Sequence, residues 1–364
     1  MNDPYRIDGH KLIYHPERVA AWRGAGGEWA AARSIYPLYL EISPVGACNH
    51  RCRFCAVDYI GYQPRRLSLE VLERALPEMG AAGVKAVMYA GEGEPMLHRD
   101  MARIVEITHA AGIDTAFTTN GSVLRDDFLD RALALTAWIK VSINAGRAGT
   151  YARIHGTRPE DFERVLGNLE RLVRARESQG AACTLGAQIL LLPENAGEVE
   201  LLARRCRDLG LDYLVVKPYS QHRFSHTRAY AGLDYRAYLE LEQRLAPLSG
   251  EGFRLVFRAH TMRKHGQAPA YSRCHATPFF WAYVMADGEV YGCSAYLGDP
   301  RFALGNLHRR GFREIWEGEA RRRNLALVRD GLDIGECRRN CRMDEVNRYL
   351  EALCGEGPPH VNFI

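Results

Sequence analysis

Between residues 36 and 218 short apolar runs alternate with longer amphipathic ones. The runs YPLYLEIS (36–43), VKAVMYA (84–90), DTAFTT (114–119), WIKVSIN (138–144), CTLGAQILL (183–191) and YLVVKP (213–218) are rich in β-branched and aromatic residues. Several are almost continuously apolar, as parallel strands covered on both faces must be. The segments between them, SLEVLERALPEMGAAG (68–83), RDMARIVEITHAAG (99–112), DDFLDRALALT (126–136), PEDFERVLGNLERLVRARES (159–178) and AGEVELLARRCRDLG (196–210), repeat apolar residues every three or four positions. That spacing predicts helices with one buried face, the first capped by Ser68 and bent by Pro77. Six strand–helix alternations with right-handed crossovers predict an α/β fold, a partial (β/α)6 TIM-like barrel.

Past residue 250 the rhythm changes. FRLVFRA (253–259), FWAYVMA (280–286) and EVYGCSA (289–295) read as strands, with Asp287–Gly288 as a hairpin turn. FREIWEGEARRRNLALV (312–328) and MDEVNRYLEAL (343–353) read as helices, the run ARRRN being a solvated face. The expected organisation is an N-terminal extension (1–35), the partial barrel (36–245) and a small C-terminal iron–sulfur domain (246–364). The chain has 364 residues, 47% of them hydrophobic, enough for a full core. A net charge of +4 carries no nucleic-acid signature. The N-terminal stretch lacks the apolar region of a signal peptide, and no run is long enough to span a membrane. A cytoplasmic protein is expected.

Ten cysteines then call for metal or redox chemistry rather than disulfides. Cys183 and Cys206 stand alone and read as buried thiols. Cys48, Cys52 and Cys55 share one loop directly after the first strand. Three thiolates can ligate three irons of a [4Fe–4S] cube and leave the fourth iron open, whereas a structural zinc site closes four ligands. Zinc stays the alternative. The spacing Cys48-x3-Cys52-x2-Cys55, with the aromatic Phe54 before the third cysteine, resembles the radical S-adenosylmethionine (radical SAM) superfamily. The resemblance implies that S-adenosylmethionine chelates the open iron. An electron from a donor such as flavodoxin or ferredoxin then cleaves the sulfonium bond, and a 5′-deoxyadenosyl radical abstracts a substrate hydrogen. AGEGEP (90–95) is similar to the family's GGEP motif, which implies cofactor contacts from Gly91, Glu92, Gly93 and Glu94; Glu92 stands where the first paired glycine is usual. TTNG (118–121) brings in Asn120. Ser142 and Asn144 at the fourth strand's end match positions near the ribose, and Gln188 and Leu191 match positions near the adenosine. The resemblance covers roughly residues 36–220.

Cys274, Gly288, Cys293, Cys337 and Cys341 together resemble the SPASM/Twitch extension of that superfamily, which carries auxiliary clusters. Five cysteines are too few for two such clusters. One auxiliary [4Fe–4S] cluster on Cys274, Cys293, Cys337 and Cys341 is expected, two cubes in all, with a zinc site as the alternative. A helix between Cys341 and Cys354 would hold them roughly 20 Å apart, so Cys354 reads as a core thiol. Lys217, Tyr219, Gln221 and His222 should face the barrel mouth, in a stretch without an acid until Asp234. That excess of positive charge suggests an anionic substrate group, a solvated basic loop being the alternative. The expected function is hydrogen abstraction from a small polar, anionic sugar, cyclitol or nucleotide-type substrate, leading to oxidation, epimerisation or decarboxylation. A maturase of ribosomal peptides is the alternative, disfavoured because residues 1–35 are too few for a peptide-recognition domain. An iron–sulfur electron carrier or sensor is a third reading.

Overall fold

The computed structural model describes residues 3–338, 340–355, 357 and 359–363. Among them ten strands form one sheet: β1 (Tyr39–Ile42), β2 (Ala86–Tyr89), β3 (Asp114–Thr119), β4 (Thr136–Ser142), β5 (Thr184–Leu191), β6 (Tyr213–Pro218), β7 (Arg254–Phe257), β8 (Trp281–Val284), β9 (Glu289–Tyr291) and β10 (Ala303–Asn306). Their spatial order is β10-β9-β8-β1-β2-β3-β4-β5-β6-β7. Strands β1 to β7 are mutually parallel, β8 adds parallel to β1, and β8, β9 and β10 are antiparallel. The six expected strands are present. FRLVFRA is a seventh parallel strand on the edge of β6, where Arg254 N donates to Asp212 O at 2.8 Å, and is not part of the C-terminal hairpin.

Alternation along the strands sorts the sheet into two faces. Leu40, Ile42, Val87, Phe117, Ile139 and Leu185 turn outward and pack under the helices in the main core. Their neighbours Glu41, Met88, Thr118, Lys140 and Lys217 turn to the inner face. Tyr5 and Ile7 pack against Tyr213, Val215 and Val256 there, flooring that end of the barrel.

Residues 3–35 do not form a separate unit. The helix Pro16–Ala25 buries Val19, Trp22 and Ala25 in a second core with Phe279, Phe280, Phe302 and Leu325. Arg321 stitches this together and corrects the reading of ARRRN as a solvated face. Its side chain is fully buried, and its guanidinium donates to the carbonyls of Ala32, Arg33, Ile35, Pro278 and Trp316. The physical reason is that converging helix ends leave carbonyls without partners, which a planar five-donor group satisfies together. The surrounding segment is two helices, Phe312–Trp316 and Glu319–Asp330, separated at Gly318.

Candidate active site

The loop carrying Cys48, Cys52 and Cys55 leaves β1 and is held by backbone contacts on two sides. Arg51 N donates to His155 O at 3.0 Å and Arg53 N to Ile154 O at 2.9 Å. Those carbonyls end the helix Ala148–His155, whose last turn has acceptors to spare. A Cβ at Gly156 would lie 2.2 Å from Arg51 O, so only glycine lets the helix end approach this closely. On the other side Glu94 N donates to Ala47 O at 2.9 Å, and a Cβ at Gly93 would lie 2.3 Å from both Val45 O and Ala47 O. The thiols are pressed together. Burial pushes Cys48 up to about 11, with Glu94 and Cys55 adding to the rise; burial, then Cys48 and Cys55, raise Cys52. Thiols packed this way ionise only against a positive centre, which is what a metal or iron–sulfur group supplies.

His155 was not singled out by sequence. Its Nδ1 lies 3.5 Å from Cys52 Sγ and its Nε2 lies 2.7 Å from Ile143 O, while burial lowers its pKa to about 3 and keeps it neutral. The ligand atoms of His50, Cys52 and His155 lie within 4.8 Å of one another. A helix-ending His–Gly pair at 155–156 was the available sign in the sequence.

The remaining expected cofactor residues divide into two groups. Glu94 Oε1 accepts from Thr119 Oγ1 at 2.5 Å and Met96 N at 3.0 Å, and Oε2 accepts from Asn120 N at 2.7 Å. Asn120 Nδ2 donates to Asn49 Oδ1 at 2.8 Å, so AGEGEP, TTNG and the cysteine loop form one hydrogen-bonded unit. Gly91 takes φ +126° beside Ser43, a conformation that favours glycine. Gln188 Nε2 donates to Ser142 Oγ at 2.6 Å, leaving its buried Oε1 without a partner and open to a ligand donor. Phe54 meets the His155 ring edge-on at 5.4 Å. Glu92 turns toward the C-terminal hairpin, where Oε1 accepts from Ala286 N at 3.1 Å; Oε2 is buried without a partner, and burial raises its pKa to about 7. Two residues depart from expectation. Asn144 is fully buried at φ +54° and locks the strand exits together, its Oδ1 accepting from Leu190 N at 2.6 Å. Leu191 lies in the outer core because strand alternation turns it away; Leu190 holds the inner position.

The second cysteine set is brought together by distant segments. Burial raises Cys293 far above its usual range, followed by Cys341, Cys274 and then Cys337. Each sulfur has a donor at hand. Asn347 Nδ2 lies 3.5 Å from Cys274 Sγ, Ala295 N 3.4 Å from Cys293 Sγ, and Met343 N 3.4 Å from Cys341 Sγ. Tyr296 OH lies 3.9 Å from Cys337 Sγ. Donors aimed at sulfur stabilise thiolate ligands of a cluster. Cys354 ends the unbroken helix Asp344–Cys354 and is exposed, so it is not the core thiol expected: the helix carries it past the second core to the surface.

Comparison with known proteins agrees with this geometry. The profile of the radical SAM superfamily matches residues 42–206, and that of the SPASM iron–sulfur cluster-binding domain matches residues 274–342. The chain is a radical SAM protein with a C-terminal SPASM domain. Its cofactors are accordingly S-adenosylmethionine and iron–sulfur clusters. The curated relatives include an S-adenosylmethionine-dependent nucleotide dehydratase of Lacinutrix mariniflava, 34% identical over 107 residues, which are 27% of this chain and 21% of that one. They also include a GTP 3′,8-cyclase of Rhodopseudomonas palustris, 28% identical over 186 residues, covering 49% of this chain and 52% of that one. The chain thus spans about half the length of these relatives, or less. Among solved structures, Streptococcus suis SuiB bound to S-adenosylmethionine has a TM-score of 0.63 at 18% identity, covering 89% of this chain and 76% of that one. The structure of anSMEcpe with bound AdoMet has a TM-score of 0.58 at 17% identity, covering 86% and 88%. These last two show the shared fold.

The radical SAM barrel encloses a strongly cationic inner face. Lys140 and Lys217 stand on the inner face of the sheet, half-buried, and desolvation lowers the pKa of both. Burial depresses Lys217 far below its usual range, and Lys140, Arg258, Arg342 and Arg338 depress it further. The other residues expected at the mouth are held by the protein. Tyr219 OH donates to Gln221 Oε1 at 3.2 Å, and Gln221 Nε2 donates to Thr227 O at 3.0 Å. His222 stacks on Tyr59 at 5.2 Å, with Nε2 3.3 Å from Ser294 O, pinning the loop after β6 to the SPASM domain. Arg223 pairs with Glu336. One arginine of the basic loop is therefore paired and Arg228 is held by the carbonyl of Arg223, while further positive charge lies deeper. A lysine between apolar residues in WIKVS, and arginines directly after Cys337 and Cys341, were its signs in the sequence.

Proposed function

We propose that this protein is a radical SAM enzyme that abstracts hydrogen from a small, polar, anionic substrate of the sugar, cyclitol or nucleotide type held inside the barrel. The observation that carries the reading is the pair Lys140 and Lys217 on the inner face, neither with a hydrogen-bonding or ion-pair partner among the described residues. The Trp138 ring, 5.1 Å from the Lys140 ammonium, and Glu41 favour the charged form of Lys140. Burial outweighs them, and a bound anion would favour the charged forms of both lysines. Cys48, Cys52 and Cys55 are the residues placed to hold the catalytic cluster. Glu94, Asn120 and Gln188 are placed to orient the cofactor, with Glu92 offering a further acceptor. Cys274, Cys293, Cys337 and Cys341 are placed to hold one auxiliary cluster. When bound, the cluster and S-adenosylmethionine supply reductive sulfonium cleavage and a hydrogen-abstracting radical, with an external donor such as flavodoxin or ferredoxin providing the electron.

The chain's own part is to position and to exclude water. Lys140 and Lys217 fix the anionic end of the substrate, Tyr5 and Ile7 seal the floor, and the loop around His222 and Tyr59 closes the upper rim. Oxidation, epimerisation and decarboxylation all remain compatible with this arrangement. The names of the nucleotide dehydratase and the GTP cyclases support an anionic substrate. A second reading, maturation of a ribosomal peptide, is favoured by the fold likeness to SuiB, solved with precursor peptide SuiA at a TM-score of 0.63. The test is 5′-deoxyadenosine release by the reduced holoenzyme. Sugar phosphates, sugar acids and nucleotide sugars should raise it above the substrate-free level. Stimulation by peptides alone would replace the small-molecule reading.

A further inference from the structure

Two arginines of the SPASM domain lie near enough to the two lysines of the inner face to act on them electrostatically. Arg338 directly follows Cys337, and its Nε donates to Ser220 Oγ at 2.9 Å beyond the end of β6. Arg342 directly follows Cys341 and reaches β1, donating to Tyr39 OH at 2.7 Å and pairing with Glu41 at 3.1 Å. The segment joining the two cysteines therefore runs along the barrel and sends a cation inward at each end. Arg258, at the end of β7, also faces this group.

The charges do not balance. Glu41 pairs with Arg342, and Asp8 pairs with Arg258 at 3.0 Å. Lys140, Lys217 and Arg338 have no carboxylate partner among the described residues. One carboxylate on a ligand would leave two of these basic groups without a counter-charge, while burial without an anion disfavours the charged form of both lysines. A phosphate monoester carries about two negative charges near neutral pH, and a diphosphate carries more. The planar donor fork of arginine also matches phosphoryl oxygens in pairs, while lysine acts as a point charge beside it.

We infer that this cluster of basic groups on the inner face is a phosphoryl-binding site shared by the two domains, with Lys140 and Lys217 on the sheet side and Arg338 and Arg342 on the auxiliary-cluster side. This rests on the small-anion reading above and narrows its substrate to phosphate esters or diphosphates. It also makes a link that the barrel alone would not. The groups that grip the anion adjoin two sulfurs of the auxiliary site, so an anion bound here is felt by that cluster. Added negative charge disfavours its reduction, and the midpoint potential moves to more negative values.

The experiment uses the reconstituted holoenzyme, with inorganic pyrophosphate, a sugar 1-phosphate and uridine diphosphate as separate probes. Binding is measured by calorimetry, and the auxiliary-cluster potential by redox titration with electron paramagnetic resonance. At least one probe should bind, weaken tenfold or more in Lys217→Met and in Arg338→Gln, and move the auxiliary potential downward. Pyrophosphate binding alone would identify a free diphosphate site; tighter binding of an ester would identify a substrate phosphate. The ligand-free Lys217→Met protein should melt no lower than the wild type, because it loses a buried amine that has no hydrogen-bonding or ion-pair partner among the described residues. A lower melting point would instead give Lys217 a structural role and overturn the assignment. The assignment also fails if no probe binds, or if binding is unchanged in both variants. Release of 5′-deoxyadenosine is scored separately. Its absence with every substrate would remove the enzymatic reading while leaving measured phosphoryl binding intact. Stimulation by uncharged substrates or peptides without phosphoryl binding would do the reverse.

Discussion

The two cysteine sites are built in opposite ways. Cys48, Cys52 and Cys55 lie within eight residues, on one loop held by the end of the helix Ala148–His155 and by the AGEGEP turn. Cys274, Cys293, Cys337 and Cys341 come from segments up to 67 residues apart, gathered by the second core and each met by an N–H or O–H donor. On the function proposed above, the first is a local device whose three thiols would leave a vertex for a cofactor. The second would be a tertiary device with four ligands and no vertex to spare. Under that proposal, bond cleavage falls to the first and electron transfer to the second.

The largest effect should come from separating them. Cys52→Ala should lose about four of about eight irons. It should also lower 5′-deoxyadenosine formation on the order of a thousandfold. Cys293→Ser should lose the other four and keep cofactor cleavage, uncoupled from product. Iron analysis and chromatography check both; equal loss of cleavage in the two variants would erase the distinction. Next, Arg321→Met should unfold the support of the second site. Its carbonyl partners are left buried without donors, at a cost of about 3 kcal/mol, read by thermal or denaturant melting. An unchanged stability would mean that the domain junction does not depend on this clamp.

A smaller effect is expected from the contact of His155 with Cys52. His155→Phe should slow 5′-deoxyadenosine formation about 10- to 100-fold and move the potential of the first cluster, leaving the auxiliary potential in place. Movement of both potentials would show a general structural defect. The smallest concerns pH. Burial, then Arg342 and Arg258, lowers Lys140 to about 7, with Glu41 opposing. A bound anion stabilises the ammonium and raises that value. Above pH 7 binding must therefore take up a proton, and affinity should fall by up to about tenfold per pH unit, with little change below pH 7. Lys140→Met should reduce that slope, leaving the part that Lys217 contributes.

The sequence announced the first site because its chemistry is local: three cysteines after an apolar strand need no knowledge of the fold. The parallel sheet was equally legible from its apolar runs. FRLVFRA was legible as a strand, but its place on the edge of β6 was not, because a single short run carries no sign of its neighbour. Arg321 was misread for a related reason. A basic run on a helix looks solvated until the carbonyls that surround it are known. Lys140 and Arg342 escaped notice because a cation inside a barrel is separated in sequence from everything it faces, whereas the basic loop after β6 was conspicuous and has Arg223 paired with Glu336. Leu191 was displaced by one position, which strand alternation turns into the opposite face.

The most direct test of the vacant vertex uses the Cys293→Ser protein, loaded with the first cluster alone and reduced. Its electron paramagnetic resonance spectrum is followed as S-adenosylmethionine is added. The account predicts a saturable change in the signal, as a chelating ligand takes the iron that no side chain holds. A spectrum that stays unchanged at full cluster loading would mean that the vertex is already closed, and would contradict the account.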